Sequence, residues 1–186
     1  MIHDLKKGTL VVQIPCEKRK VQILEQMVEN ETDRDKKKEL EEKLQNYKVF
    51  LRYIQVSIVE AATRNYKFSK MVFLPDSSVK SFKAGLRQHV VLDSNLDKIS
   101  EVEFEEDEKI MFIRGGRYYD YMYVHRWDGT YPPDPFPYYS SIMPVLAPAS
   151  GYAPLSNAQL VDWKRLLFEA FANINFKMEN FYEKHN

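Results

Sequence analysis

The sequence predicts an α/β (or α+β) fold: a mixed sheet with an N-terminal helical hairpin and a C-terminal amphipathic helix packed on it. Three observations predict it. A β-branched run near the start gives way to a long stretch whose apolar residues recur at three- and four-residue intervals. Strand-like runs follow, two of them joined through Arg114-Gly-Gly-Arg117, and adjacent glycines accept the positive φ that tight hairpins need. The end of the chain then returns to helical spacing behind a polar cap. With 186 residues, 44% hydrophobic and 29% charged, the chain can enclose one core without metal or disulfide staples. No internal repeat, low-complexity tract or linker divides it, so residues 1–186 are expected to form a single globular domain.

The elements can be justified in order. Thr9 to Ile14 is a short β-branched run between Gly8 and Pro15, the pattern of a buried strand ended by proline. From Glu17, apolar residues at Val21, Leu24, Met27 and Val28, then at Leu40, Leu44, Tyr47, Leu51 and Ile54, trace two helix faces. Thr32 followed by Asp35 resembles a capping box between them, which makes a helical hairpin of the pair. The interleaved charges of Arg34 to Glu39 read as a solvated helix face. Gln55 to Glu60 and Lys70 to Leu74 are strand-like, the latter stopped by Pro75. Strand, helix pair and strand together predict a right-handed parallel crossover. Further strands are expected at His89 to Leu92, Glu101 to Phe104, Lys109 to Ile113 and Arg117 to Val124, an antiparallel group. Trp127-Asp-Gly-Thr130 signals a turn, and the prolines that follow predict a long loop to Leu155. Ser156 with Gln159 forms a second capping box, and Leu160, Trp163, Leu167, Ala170, Phe171, Ile174, Met178 and Tyr182 mark the apolar face of the last helix.

Composition narrows the functional classes. Lys+Arg and Asp+Glu both number 27, so no global field attracts polyanions, and no nucleic-acid partner is expected. No apolar run approaches the roughly 20 residues of a membrane span. The opening residues lack the pattern of a signal peptide, and a start so near the first strand suggests a leader already removed and a methionine supplied. The lone Cys16 leaves the redox compartment open.

The densest chemistry runs from Tyr118 to Tyr139, where tyrosines, one tryptophan and clustered prolines coincide. Aromatic rings bury large areas while their polar groups still need partners, so such a run is either polar-edged core or recognition surface. Strand alternation sets Tyr119, Tyr121 and Tyr123 on one face, with Tyr118, Asp120, Met122 and Val124 on the other. Tyr119, Tyr121, Tyr123, His125, Trp127, Phe136 and Tyr138 are the candidate contacts for a ligand or partner. Pro132 to Pro137 would form a rigid edge or a loop closing over them, or else seal one end of the core.

Catalytic chemistry is thinner. His125 stands near Asp120, Arg126 and Asp128, a possible acid/base group, although a histidine bonded to a turn is the plainer reading. Cys16 precedes an expected helix start with Lys18 and Arg19 beside it, a setting that can lower a thiol pKa, but no partner histidine is identifiable. His3, His89, His125 and His185 lack metal-ligand spacing, and the acidic run at 103–108 lacks the glycine and alternation of a calcium loop. No metal or cofactor is therefore expected. Gly115-Gly116 has no phosphate-loop context, and no Gly-x-Ser-x-Gly elbow occurs.

The order of features resembles a family of small uncharacterised exported proteins from Bacteroidetes bacteria. The resemblance is carried by Leu5, the run Gly8 to Val12, the charged helix pair, Val72 to Leu74, Pro135-Phe-Pro-Tyr-Tyr139 and Asn180-Phe-Tyr182. It implies export to the periplasm or cell envelope and no mechanism; without a removed leader the expected location is cytoplasmic. The resulting expectation is a non-enzymatic envelope module that binds a protein or small ligand through its aromatic and Pro-rich region. Two alternatives accompany it: an enzyme with a site near His125 or at Cys16, and a structural assembly subunit.

Overall fold

The computed structural model describes residues 1–87, 90–99, 104, 110–115, 121–137, 139–141 and 157–185, the side chains of residues 115, 121, 141 and 157–159 excepted. Among the described residues, five strands form one mixed sheet: β1 (Thr9–Ile14), β2 (Lys70–Pro75), β3 (Ile110–Gly115), β4 (Tyr121–Arg126) and β5 (Tyr139–Ser141), in the order β2-β1-β3-β4-β5. β1 runs parallel to both β2 and β3, with Val11 opposite Val72 and Phe112. β3, β4 and β5 are antiparallel in turn, with Ile113 opposite Val124 and Met122 opposite Ser140. The β1–β2 crossover is parallel, as the sequence predicts.

Strand alternation divides the core into two layers. Leu10, Val12 and Ile14 of β1, Phe73 of β2, Met111 and Ile113 of β3, and Met122 and Val124 of β4 face one side. There they meet α1 (Ile2–Lys7), α3 (Arg34–Asn65) and α5 (Asn157–Lys184). Val11, Val72, Leu74, Ile110 and Phe112 face the other side, covered by Phe82 of α4 (Val79–Lys83), Val91, Phe104 and Trp127. The predicted C-terminal helix packs as its pattern requires: Trp163, Leu167, Ala170, Phe171, Ile174 and Met178 are all buried. Lys164 pairs with Glu60 at 2.6 Å, and the Tyr53 hydroxyl donates to the Leu160 carbonyl, tying α5 to α3.

α2 (Lys18–Asn30) and the first half of α3 form the predicted helical hairpin. Its cap differs from the expected Thr32/Asp35 box: Asp33 is the N-cap, accepting from the backbone N–H groups of Asp35 and Lys36 at 3.0 and 3.1 Å.

Other expectations are corrected by the fold. Gln55 to Glu60 is not a strand but the middle of α3. Val56, Ile58 and Val59 favour strands locally, yet Ile54, Ser57, Ile58, Ala61 and Ala62 continue the helical period and are buried by tertiary packing. Of the strand expected at 89–92, what is described is no strand but two isolated bridges at Leu92, one with Phe73 and one with Lys98. The long loop after Trp127 is interrupted by β5, which closes the sheet edge beside α5. The first residues, to which the sequence pattern assigns no element, form α1, with Ile2 and Leu5 at i,i+3 entering the core. Of the strand expected over 101–104 only Phe104 is described, and it lies in no strand; the Ser156/Gln159 box falls outside the described residues or side chains.

Candidate functional site

Tyr123, His125 and Trp127 come together on the α4 side of the sheet, and they are packed rather than displayed. His125 is 5% exposed and stacks on Phe112 with ring centroids 5.3 Å apart and planes 8° apart. Its Nδ1 donates to the Arg126 carbonyl at 2.9 Å, which leaves Nε2 to accept from the Gln13 amide at 3.3 Å. Both ring nitrogens are thus satisfied in the neutral form. Burial pushes the His125 pKa below its usual value, and the charges of Arg114 and Lys83 push the same way. Tyr123 lies under the Arg114 guanidinium, 4.9 Å from its ring, and edge-on to Tyr131 at 5.3 Å. Trp127 packs against Phe82 and Phe112, and Lys83 Nζ donates to its carbonyl oxygen.

The remaining candidates divide. Phe136 lies in the other core layer, 2% exposed, against Phe181. Tyr119, Tyr138 and Asp120 lie outside the described residues, and of Tyr121 only the backbone, in β4, is described. Asp128 accepts from the Thr130 N–H and hydroxyl at 2.8 and 2.7 Å, which pulls its pKa down and secures the turn that Gly129 makes at φ +89. Arg126 reaches away to Met1 Sδ. The expected acid/base group of His125, Arg126 and Asp128 therefore has its members committed to three different partners.

An open cavity of about 850 Å³ lies elsewhere, at the carboxyl ends of β1 and β2. The turn after β1 supplies Glu17; α2 supplies Lys18, Arg19 and Lys20 from its first turn, then Ile23, Leu24 and Met27. Lys43 of α3 and Asp76 and Ser77 after β2 complete it. Proline ends both strands at this edge, Pro15 after β1 and Pro75 in β2, and so releases the chain into the two turns. Gln55 of α3 fixes the first turn by donating to the Pro15 carbonyl at 2.8 Å. Glu17 then adopts the left-handed region at φ 42, an unfavourable conformation for a residue with a side chain.

Cys16 and Asp76 sit between these turns. The Cys16 N–H donates to Asp76 Oδ1 at 3.1 Å, and burial, reinforced by the neighbouring Glu17 charge, raises the Asp76 pKa. Burial and then the Asp76 charge raise the Cys16 pKa, and its thiol faces the Ile14 carbonyl at 3.7 Å. The lowering expected from Lys18, Arg19 and the helix start is thus reversed. A thiol held protonated is a poor nucleophile at neutral pH.

Among the described residues of the cavity wall, cations outnumber acids four to two. Both carboxylates have local work: Asp76 holds the Cys16 N–H, and Glu17 accepts from the Tyr47 hydroxyl at 2.9 Å. Lys20 lies over the Tyr47 ring at 4.1 Å. Among the described residues no carboxylate pairs with Lys18, Arg19 or Lys43. Sequence reasoning named Cys16 here and read Leu24 and Met27 only as a helix face, passing over Ile23 and Lys43; the available signal was a helix whose first turn is basic and holds no acidic residue. Among the described residues, no group of three or more His, Cys, Asp and Glu side chains is arranged to hold a metal ion, and no helix is long and apolar enough to cross a membrane. No family model, curated protein or solved structure matches the chain.

Proposed function

We propose that the chain is a non-enzymatic binding module that holds a small ligand in the cavity between α2 and the carboxyl ends of β1 and β2. The observation that carries this reading is the cavity itself. Its volume of about 850 Å³ falls in the range of about 300–1,000 Å³ typical of small-molecule sites. It combines an apolar wall with a few polar groups, and it lies on the sheet edge where α/β folds hold ligands. The enzymatic alternatives are weaker because the Cys16 thiol is held protonated and the His125 ring nitrogens are both occupied.

The test is methyl-labelled nuclear magnetic resonance with a set of neutral, anionic and cationic organic fragments. The Ile23, Leu24 and Met27 signals are expected to move with at least one fragment, and Met27→Asp to abolish the movement. A set that moves none of the three overturns the proposal.

A second reading keeps the aromatic and Pro-rich region as a contact surface for a protein partner, and Tyr131 and Tyr139, 50% and 54% exposed, favour it. Loss of a co-purifying protein on Tyr131→Ala and Tyr139→Ala, with the cavity variants unaffected, would select this reading. A place in the cell envelope is proposed on the family resemblance alone.

A further inference from the structure

We infer that the cavity takes a free single-chain amphiphilic anion, its alkyl tail along Ile23, Leu24 and Met27 and its carboxylate or phosphate among Lys18, Arg19 and Lys43. The inference rests on the reading of the cavity as a ligand site and names the ligand's chemistry. It follows from how the two kinds of wall are ordered along α2. Lys20, Ile23, Leu24 and Met27 stand at i, i+3, i+4 and i+7, so they share one face of the helix. That face is cationic at the N-terminal end and apolar beyond it, over about 10 Å at the helical rise. That is the polarity and reach of a medium-length acyl chain with a charged head.

Two features of the free protein are unfavourable without such an occupant. Ile23 and Met27 are each 47% exposed inside a concave wall, where a tail would remove their apolar surface from water. Lys18, Arg19 and Lys20 occupy the first turn of α2, the positive end of its dipole, where cations are disfavoured. No acidic residue lies in that turn, and the Glu17 side chain does not cap it. An anion at this point would meet the positive end of the dipole and the charges of Lys18 and Arg19 together. Local rules broken at one place in a fold tend to mark a working site. The complementarity comes from Lys18, Arg19 and Lys43, with which no carboxylate pairs among the described residues, while Glu17 and Asp76 are already bonded within the protein.

The experiment is isothermal titration calorimetry of the full chain with sodium decanoate, decyl maltoside and decyltrimethylammonium, each below its micellar concentration. Decanoate is expected to bind, and decyltrimethylammonium not to. The pair Lys18→Glu with Arg19→Glu is expected to weaken decanoate by about tenfold or more, as a change in charge complementarity of this size should. Lys18→Arg with Arg19→Lys should retain it, and added salt should weaken it. Unchanged circular dichroism melting shows that the variants fold. If decyl maltoside binds as well as decanoate and charge reversal has no effect, the anion assignment falls while the ligand cavity stands. If none of the three binds, both fall. If the chain sediments with anionic vesicles but ignores decanoate, the surface reads a membrane and the free-ligand assignment is overturned.

Discussion

The His125 region and the α2 cavity are opposites in construction. Around His125, aromatic rings, cations and an imidazole fill the space between sheet and α4 with their polar atoms matched: His125 to Gln13 and the Arg126 carbonyl, and Lys83 to the Trp127 carbonyl. Around the cavity, an isoleucine, a methionine and surface cations leave space unfilled, and among the described residues no carboxylate pairs with Lys18, Arg19 or Lys43. Aromatic density in a sequence thus reports how much area must be buried, and it does not report where a ligand goes. Unfilled space is decided by what neighbouring elements fail to cover, and here the protruding helical hairpin leaves it at the sheet's carboxyl edge.

The largest expected effect breaks the closed region. Phe112 is fully buried between His125, Phe82 and Trp127, so Phe112→Ala should cost about 3–5 kcal/mol in urea unfolding. The folded fraction should still bind decanoate, because the cavity shares none of those contacts.

His125→Gln should cost less, about 1–3 kcal/mol, through lost stacking and altered hydrogen bonds. It also isolates a pH effect. A histidine whose folded pKa is depressed binds fewer protons when folded than when unfolded between the two values. Stability therefore rises with pH through the window that starts at the depressed folded pKa and ends at the unfolded value of about 6.5, and this contribution is flat above it. Urea midpoints measured across that window should lose this slope in His125→Gln.

The smallest expected effect sharpens the contrast. Lys18→Glu with Arg19→Glu should leave stability unchanged or raise it by roughly a few tenths of a kcal/mol, since acids suit the first turn of a helix. The same pair should weaken decanoate binding by about tenfold or more. Opposite signs for stability and binding would identify these cations as residues kept for a ligand rather than for the fold.

Much of the fold was legible because it is periodic. β1, β2 and β3 follow from short apolar, β-branched runs such as Thr9 to Ile14, and the helical hairpin and α5 from three-and-four spacing such as that of Trp163 to Met178. The errors lie where local preference and tertiary packing disagree. Gln55 to Glu60 has strand composition, but Ala61 and Ala62 beyond it extend the buried face of α3. The short β5 has no periodicity to reveal it; α5 holds it through Asn173 Nδ2 to Ser140 Oγ and Lys177 Nζ to the Tyr139 carbonyl. At the candidate sites, sequence adjacency misled: His125, Arg126 and Asp128 are neighbours in the chain with separate partners. Ile23, Lys43 and Asp76 lie far apart in the chain and line one cavity.

Photocrosslinking with a decanoate analogue that carries a diazirine, followed by peptide mass spectrometry, tests the contrast between the two regions most directly. Adducts on the segment from Lys18 to Met27, competed away by unlabelled decanoate, are the expected result. Competed adducts on the segment from Tyr123 to Tyr139, with the Lys18 to Met27 segment unmarked, would contradict the account and return the ligand to the aromatic region.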